Sequence, residues 1–123
     1  VAKLRDVDAA YLSGFFDGEG SVGAGITRGR VTAWIQITQK SPAVLNELQR
    51  LTRIGSVTRM RKPPRELWAW RIYARSDVAA FGEVVLPWTR IKRDQVVLAV
   101  ELCQCDSAGQ RAFAIRDALM GVR

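Results

Sequence analysis

The chain has 123 residues, 48% of them hydrophobic, which suits one domain with a real core and not a disordered segment. It contains no histidine, which excludes a Cys/His zinc site, a histidine general base and a Ser–His–Asp triad. The two cysteines, Cys103 and Cys105, are too few for a disulfide scaffold and poorly spaced to bridge each other. Net charge is +7, and the excess is concentrated: residues 1–27 are net −2, residues 28–75 net +9 and residues 76–123 neutral. A basic excess on strands and loops, and not in a low-complexity tail, points to a polyanion, nucleic acid above all. No run approaches about 18 apolar residues and no signal-peptide pattern is visible. The expected setting is therefore intracellular (cytoplasm, nucleoid or organelle), with no membrane and no secretion.

Asp6 or Asp8 is expected to N-cap a helix through the apolar residues up to Phe16, closed by Gly18 and Gly20 in positive-φ conformations. Asp17 and Glu19 then sit at the helix C-terminus, where the macrodipole disfavours negative charge unless a cation joins them. Val22, Ala24 and Ile26 alternate with Ser21, Gly23, Gly25 and Thr27, a strand with one buried face. Arg28-Gly29-Arg30 is a turn. Val31, Ala33, Ile35 and Ile37 alternate with Thr32, Trp34, Gln36 and Thr38, a second strand that completes a hairpin. On its open face Gln can read an adenine edge bidentately, Thr can meet a thymine methyl, and Gly admits close approach to the backbone.

Ser41-Pro42 opens a second helix, with Ser41 as N-cap and Val44, Leu45, Leu48 and Leu51 at helical spacing, ending at Ile54-Gly55. Ser56 to Lys62 is a third strand and Pro63-Pro64-Arg65 its turn. Leu67 to Tyr73 is a fourth, with Trp68, Trp70 and Ile72 on one face and Arg71 and Tyr73 on the other. The tryptophans read as core residues in preference to base-stacking ones. Burying Val57 turns Arg59 and Arg61 inward, unless a bulge or an early strand end reverses the parity. Ser76-Asp77 caps a third helix through Val78, Phe81 and Val85, which Pro87 stops. A basic joint from Trp88 to Gln95 leads into a helix with Val97, Leu98, Val100, Glu101 and Leu102. A last helix spans roughly Gln110 to Met120. There is no linker and no second copy of the opening stretch.

Leu12-Ser13-Gly14-Phe15-Phe16-Asp17-Gly18-Glu19-Gly20 resembles the LAGLIDADG motif without a gap. Leu12, Gly14, Asp17 and Gly20 match by identity, and Glu19 stands where that family carries Asp or Glu. Gln36-Ile37-Thr38-Gln39-Lys40 resembles the family segment that contributes an active-site glutamine, the place taken by Gln39. Arg90-Ile91-Lys92-Arg93-Asp94-Gln95 resembles the segment with the catalytic lysine, the place taken by Lys92. With the order of elements, the resemblance covers roughly residues 8–103 and is to LAGLIDADG homing endonucleases of the single-motif, homodimeric type. It implies an α+β fold: an αββαββα unit whose four-stranded antiparallel sheet forms a saddle over DNA, followed by C-terminal helices, in a single domain over 1–123.

The resemblance also implies a site-specific endonuclease that breaks both strands of a long pseudo-palindromic DNA, leaves 3′ overhangs and serves intron or intein mobility. Glu19, Gln39 and Lys92 would be catalytic. The Glu19 carboxylate and the Gly18 carbonyl would hold Mg²⁺, a hard cation that prefers oxygen ligands, with Mn²⁺ or Ca²⁺ able to substitute for binding. One motif copy implies a homodimer. Its interface would be formed by Leu12, Ser13, Gly14, Phe16 and Asp17. The partner is double-stranded DNA. Its contacts would come from Ser21, Gly23, Gly25 and Thr27 on the first strand, with Arg28 at the turn. Arg30, Thr32, Trp34, Gln36 and Thr38 would follow on the second, then Arg59, Arg61 and Lys62, and finally Arg71 and Tyr73. A strand of about 8 residues spans roughly 26 Å, near the rise of about 8 base pairs. Two competing readings are a DNA-binding regulator of the same fold without cleavage, and an intron maturase that binds RNA. The presence of Glu19, Gln39 and Lys92 together disfavours the regulator.

Overall fold

The computed structural model describes residues 4–121. Its elements run α1 (Asp6–Glu19), β1 (Gly20–Thr27), β2 (Arg30–Gln39), α2 (Ala43–Thr52), β3 (Ser56–Arg61), β4 (Leu67–Ile72), α3 (Arg75–Val85), α4 (Arg93–Gln104) and α5 (Gln110–Met120). The four strands form one antiparallel sheet in the order β1-β2-β4-β3. The α+β architecture expected from the chain is therefore present, element for element.

The sheet has a packed face and an open face. Val31, Ala33, Ile35 and Ile37 of β2 and Trp70 and Ile72 of β4 are buried on the packed face with Leu12 and Phe16 of α1. The buried rings meet edge to face: Phe16 and Phe81 lie 5.1 Å apart at 75°, and Trp70 and Phe81 lie 5.9 Å apart at 72°. That arrangement sets positive ring edges against negative faces. The Trp70 indole N–H donates to the Ile54 carbonyl at 2.8 Å, so its one polar group is satisfied. Trp70 is thus a core residue, as its alternation implied.

The ends of α1 differ from expectation. Arg5, not an aspartate, occupies the N-cap, and its carbonyl accepts from the Asp8 and Ala9 amides at 3.0 Å. Asp6 and Asp8 lie inside the first turn, where the macrodipole favours them, and Asp8 pairs with Arg5 at 3.1 Å. At the other end the helix runs on through Gly18 and Glu19. Gly20 leaves it at φ −88°, ψ 169°, an extended conformation open to any residue. Its requirement for glycine is steric: a Cβ would lie 2.4 Å from a ring carbon of Phe16 and 2.8 Å from the Phe16 carbonyl oxygen.

The hairpin from β1 to β2 turns through Arg28 (φ 53°) and Gly29 (φ 75°), the two positive φ angles of a type I′-like turn. Arg30 therefore begins β2 and is not part of the turn. In α2 Pro42 is the N-cap; the Ser41 hydroxyl still accepts from the Ala43 amide at 3.3 Å. Asp77 lies in the first turn of α3 and accepts from the Gly55 amide at 3.2 Å, which ties α3 to the start of β3. The C-terminal helices are held by two clamps, one to α3 and one to the sheet. Arg75 donates to the carbonyls of Cys103 and Cys105 at 2.5 and 2.8 Å. Ser107 accepts from the Val31 amide through its carbonyl at 2.8 Å and from Arg30 Nη1 through its hydroxyl at 3.0 Å.

Candidate active site and nucleic-acid interface

The last turn of α1 is where the conflict between acids and macrodipole is resolved. The Asp17 carboxylate accepts from the Thr89 hydroxyl, from the Arg90 amide at 2.8 Å and from the Lys92 amide at 3.2 Å. Burial alone would raise its pKa. The hydrogen bonds from Thr89 and from the amides of Arg90, Lys92 and Ile91 outweigh that and hold the carboxyl below the ordinary aspartate value. Asp17 thereby gathers the joint between α3 and α4 against the helix end. One consequence is the placement of Lys92: its Nζ donates to the Asp17 carbonyl oxygen at 2.5 Å and lies 5.9 Å from the Phe16 ring centroid. A lysine on the free carbonyls of a helix C-terminus is the cation that position favours.

Glu19 lies two residues further on and is exposed, as is Gly18, around which a Cβ would meet nothing within 4 Å. Gln39 ends β2, two residues beyond the Gly20↔Ile37 pair, on the face that Ile35 and Ile37 share. Glu19, Gln39 and Lys92 thus belong to the segments that meet around the α1–β1 junction. Among the described residues no group of three or more His, Cys, Asp or Glu could hold a metal ion. What one chain offers there is a carboxylate and helix-end carbonyls, hard oxygen donors of the kind that Mg²⁺ and Ca²⁺ prefer.

The open face carries rows of cross-strand partners. Ser21, Gln36, Arg71 and Ser56 form one row across all four strands. Gly23 and Trp34 form a second, and Thr38, Ala69 and Thr58 a third. A groove of about 490 Å³ gathers Gly25, Thr27, Thr32, Trp34, Gln36, Arg71 and Tyr73 from the expected DNA contacts. Arg28 at the hairpin tip and Lys62 beyond β3 are exposed.

Three of the expected contacts are corrected. Gly23 is buried because the Trp34 indole lies over it: a Cβ on Gly23 would be 2.3 Å from that ring. Its backbone is therefore roofed and not open to a ligand on that face. Arg59 pairs with Trp68 and stacks on it at 5.9 Å, on the side of the sheet shared with Val57 and Trp70. It therefore does not face the groove. A bulge follows at Met60, so that Arg61 pairs with Leu67, whose parity is that of Arg71. Arg61 therefore returns to the open face. Arg30 has open-face parity, but its guanidinium is directed to Ser107.

Comparison with known families matches the LAGLIDADG-like domain to residues 6–85 of the chain. The chain belongs to the LAGLIDADG family. Lys92, α4 and α5 lie outside the matched stretch. Among solved structures the chain is similar to the archaeal intron-encoded homing endonuclease I-Vdi141I complexed with DNA. That match has a TM-score of 0.80 and 18% identity over 94% of this chain and 84% of that one. It is also similar to the homing endonuclease I-CvuI, in complex with its target in the presence of calcium, with a TM-score of 0.76 and 19% identity over 96% and 85%. The LAGLIDADG meganuclease I-AabMI, bound to uncleaved DNA, matches with a TM-score of 0.75 and 20% identity over 90% of this chain but 44% of that one. At these identities the likeness is one of fold. A search of curated protein sequences finds no match.

The LAGLIDADG helix also corrects the expected dimer face. Leu12 and Phe16 are 0% exposed and Ser13 is 1% exposed within the chain's own core. The Ser13 hydroxyl is used internally, donating to the Ala9 carbonyl at 2.7 Å, and Asp17 is committed to the 89–92 joint. Helical periodicity is the reason: Ala9, Leu12, Ser13 and Phe16 form one stripe. The opposite stripe carries Val7, Tyr11, Gly14 and Gly18, with Val7 65% and Tyr11 55% exposed. Of the five expected interface residues only Gly14 faces outward. Sequence reasoning missed Val7 and Tyr11, although their spacing to Gly14 and Gly18 gives them away. It also missed Met60 in the groove, which alternation from Val57 already puts on the open side, and the buried Thr89, for which no signal exists. No helix among the described residues is long and apolar enough to cross a membrane.

Proposed function

We propose that this chain is one half of a homodimeric homing endonuclease that hydrolyses a phosphodiester bond in each strand of a long pseudo-palindromic DNA and leaves 3′ overhangs. The observation that carries it is the gathering of Lys92 onto the Asp17 carbonyl beside an unengaged Glu19, at the end of a helix whose outer stripe is apolar and small. Two such helices packed along Val7, Tyr11, Gly14 and Gly18 bring their Glu19 carboxylates together, and C2 symmetry supplies two half-sites. The paired Glu19 carboxylates and Gly18 carbonyls would hold Mg²⁺, with Mn²⁺ or Ca²⁺ as substitutes for binding; the calcium in the I-CvuI complex fits that donor chemistry. The metal would supply Lewis acidity at the scissile phosphate. Gln39 would orient the attacking water by hydrogen bonding, and the Lys92 ammonium would offset charge on the phosphorane. The duplex would lie in the groove of the open face, whose basic residues give sequence-independent affinity.

Selection of cleaved sites from a randomised plasmid library with Mg²⁺ tests this. The expected result is a double-strand break at one family of sites. Glu19→Gln should abolish cutting and leave binding in Ca²⁺ near wild type. Tight duplex binding with no break at any site would overturn the nuclease, and a complex mass corresponding to one 13.7 kDa chain on DNA would overturn the dimer.

A further inference from the structure

We infer that Arg71 reads a guanine in each half of the target, and that Gln36 positions Arg71 for this instead of reading adenine itself. The inference rests on the DNA-binding reading above and adds the base recognised. Gln36 and Arg71 are direct cross-strand partners on the open face, and Arg71 Nε donates to Gln36 Oε1 at 3.1 Å. Arginine has no acceptor, so the glutamine atom facing Nε is its carbonyl oxygen and the orientation of the amide is determined. With Oε1 engaged, the Gln36 NH₂ remains as a donor. Arg71 keeps both terminal NH₂ groups free, and none of the ion pairs among the described residues includes it. The pair therefore presents mainly donors, with one of the two lone pairs of Oε1 committed to Arg71.

That pattern selects among bases. Adenine recognition by glutamine needs the amide oxygen to accept from N6 while the NH₂ donates to N7; here that oxygen already accepts from Arg71 Nε, which ties the amide's orientation to Arg71 and makes N6 share the acceptor with a cation. Guanine presents two acceptors, O6 and N7, which match the arginine fork. Adenine and cytosine would each turn an amino group toward donors, and thymine offers a single oxygen. The position favours base over phosphate: β4 is an interior strand, so Arg71 rises from the floor of the groove and not from its rim. Gln36 and Arg71 are flanked on the outer strands by Ser21 and Ser56, short residues that leave the floor accessible.

The test is selection of bound duplexes from a randomised pool in Ca²⁺ with the full chain, repeated with Arg71→Ala and Gln36→Leu. The expected wild-type consensus has one guanine per half-site, preferred by roughly tenfold or more. Arg71→Ala should flatten that position alone. Gln36→Leu should weaken the same preference severalfold and leave other positions unchanged, a readout that a structural role would not move. Thermal melting checks that both variants stay folded. The assignment is overturned if Arg71→Ala weakens all duplexes equally, as loss of a phosphate contact would. It is also overturned if the consensus carries an adenine there that Gln36→Leu erases. A pool with no enriched sequence would overturn the DNA-binding reading and this assignment together; a strong consensus indifferent to both variants would overturn this assignment alone.

Discussion

The C-terminal end of α1 and the floor of the open face are both polar, yet they are built on opposite rules. At the helix end nearly every polar group has its partner: Asp17 takes one hydroxyl and two backbone amides, and Lys92 takes the helix carbonyl. On the floor, Arg71 has one neutral partner and the groove lining contains no acid. Satisfied polar groups hold a fold together, whereas donors left unsatisfied on an open floor are free for a ligand. Glu19 is the exception, an exposed acid two residues beyond one that is fully engaged.

The largest break in this comparison should come from the inner stripe of α1. Leu12→Ala should destabilise the chain by about 2–5 kcal/mol in urea melts, because it empties a fully buried position. Tyr11→Ala, one residue away and 55% exposed, should leave the monomer's stability nearly unchanged and weaken self-association in sedimentation. Next is Asp17→Ala, which strips the 89–92 joint of its acceptor and should cost about 2–3 kcal/mol while misplacing Lys92. The same group predicts a pH dependence. Because its folded pKa lies below the ordinary aspartate value, its stabilisation is complete above that ordinary value and is lost as pH falls through the folded value. Acid titration of Asp17→Asn should lack that component. On the floor, Gly23→Ala should cost about 1–3 kcal/mol, since the new methyl drives the Trp34 ring from its place. DNA affinity should fall with it, because the indole lines the groove.

Much of the fold was legible because it rests on period. Alternation over Val31 to Ile37 and over Trp68 to Ile72 named the packed face correctly, and the element order follows from the turn signals between them. The site was legible in part, since a nine-residue motif places Asp17 and Glu19 at one helix end but does not say which acid is engaged. That depends on Thr89 and the amides of residues 90–92, more than seventy positions away. A motif also spells its letters in order while a helix sorts them by angle, which is why Leu12, Ser13 and Phe16 turned inward. Gly20 illustrates the same limit: its φ is ordinary, and its need for glycine comes from the Phe16 ring.

The smallest effect separates the two faces of the third strand. Val57 and Arg59 share the packed side, and one extra residue at Met60 returns Arg61 to the open side. Arg59→Ala should therefore lose only its stacking on Trp68, about 0.5–1 kcal/mol of stability. Base preference should not change at any position, because no atom of Arg59 rises from the groove floor. Arg61→Ala should do the reverse: little change in melting, weaker duplex binding and a shallower salt dependence, as expected when a cation that releases a counterion is removed. Measuring both variants by melting and by binding at two salt concentrations reads the bulge directly. Equal losses of affinity from the two would place both side chains on the same face and contradict the shifted register.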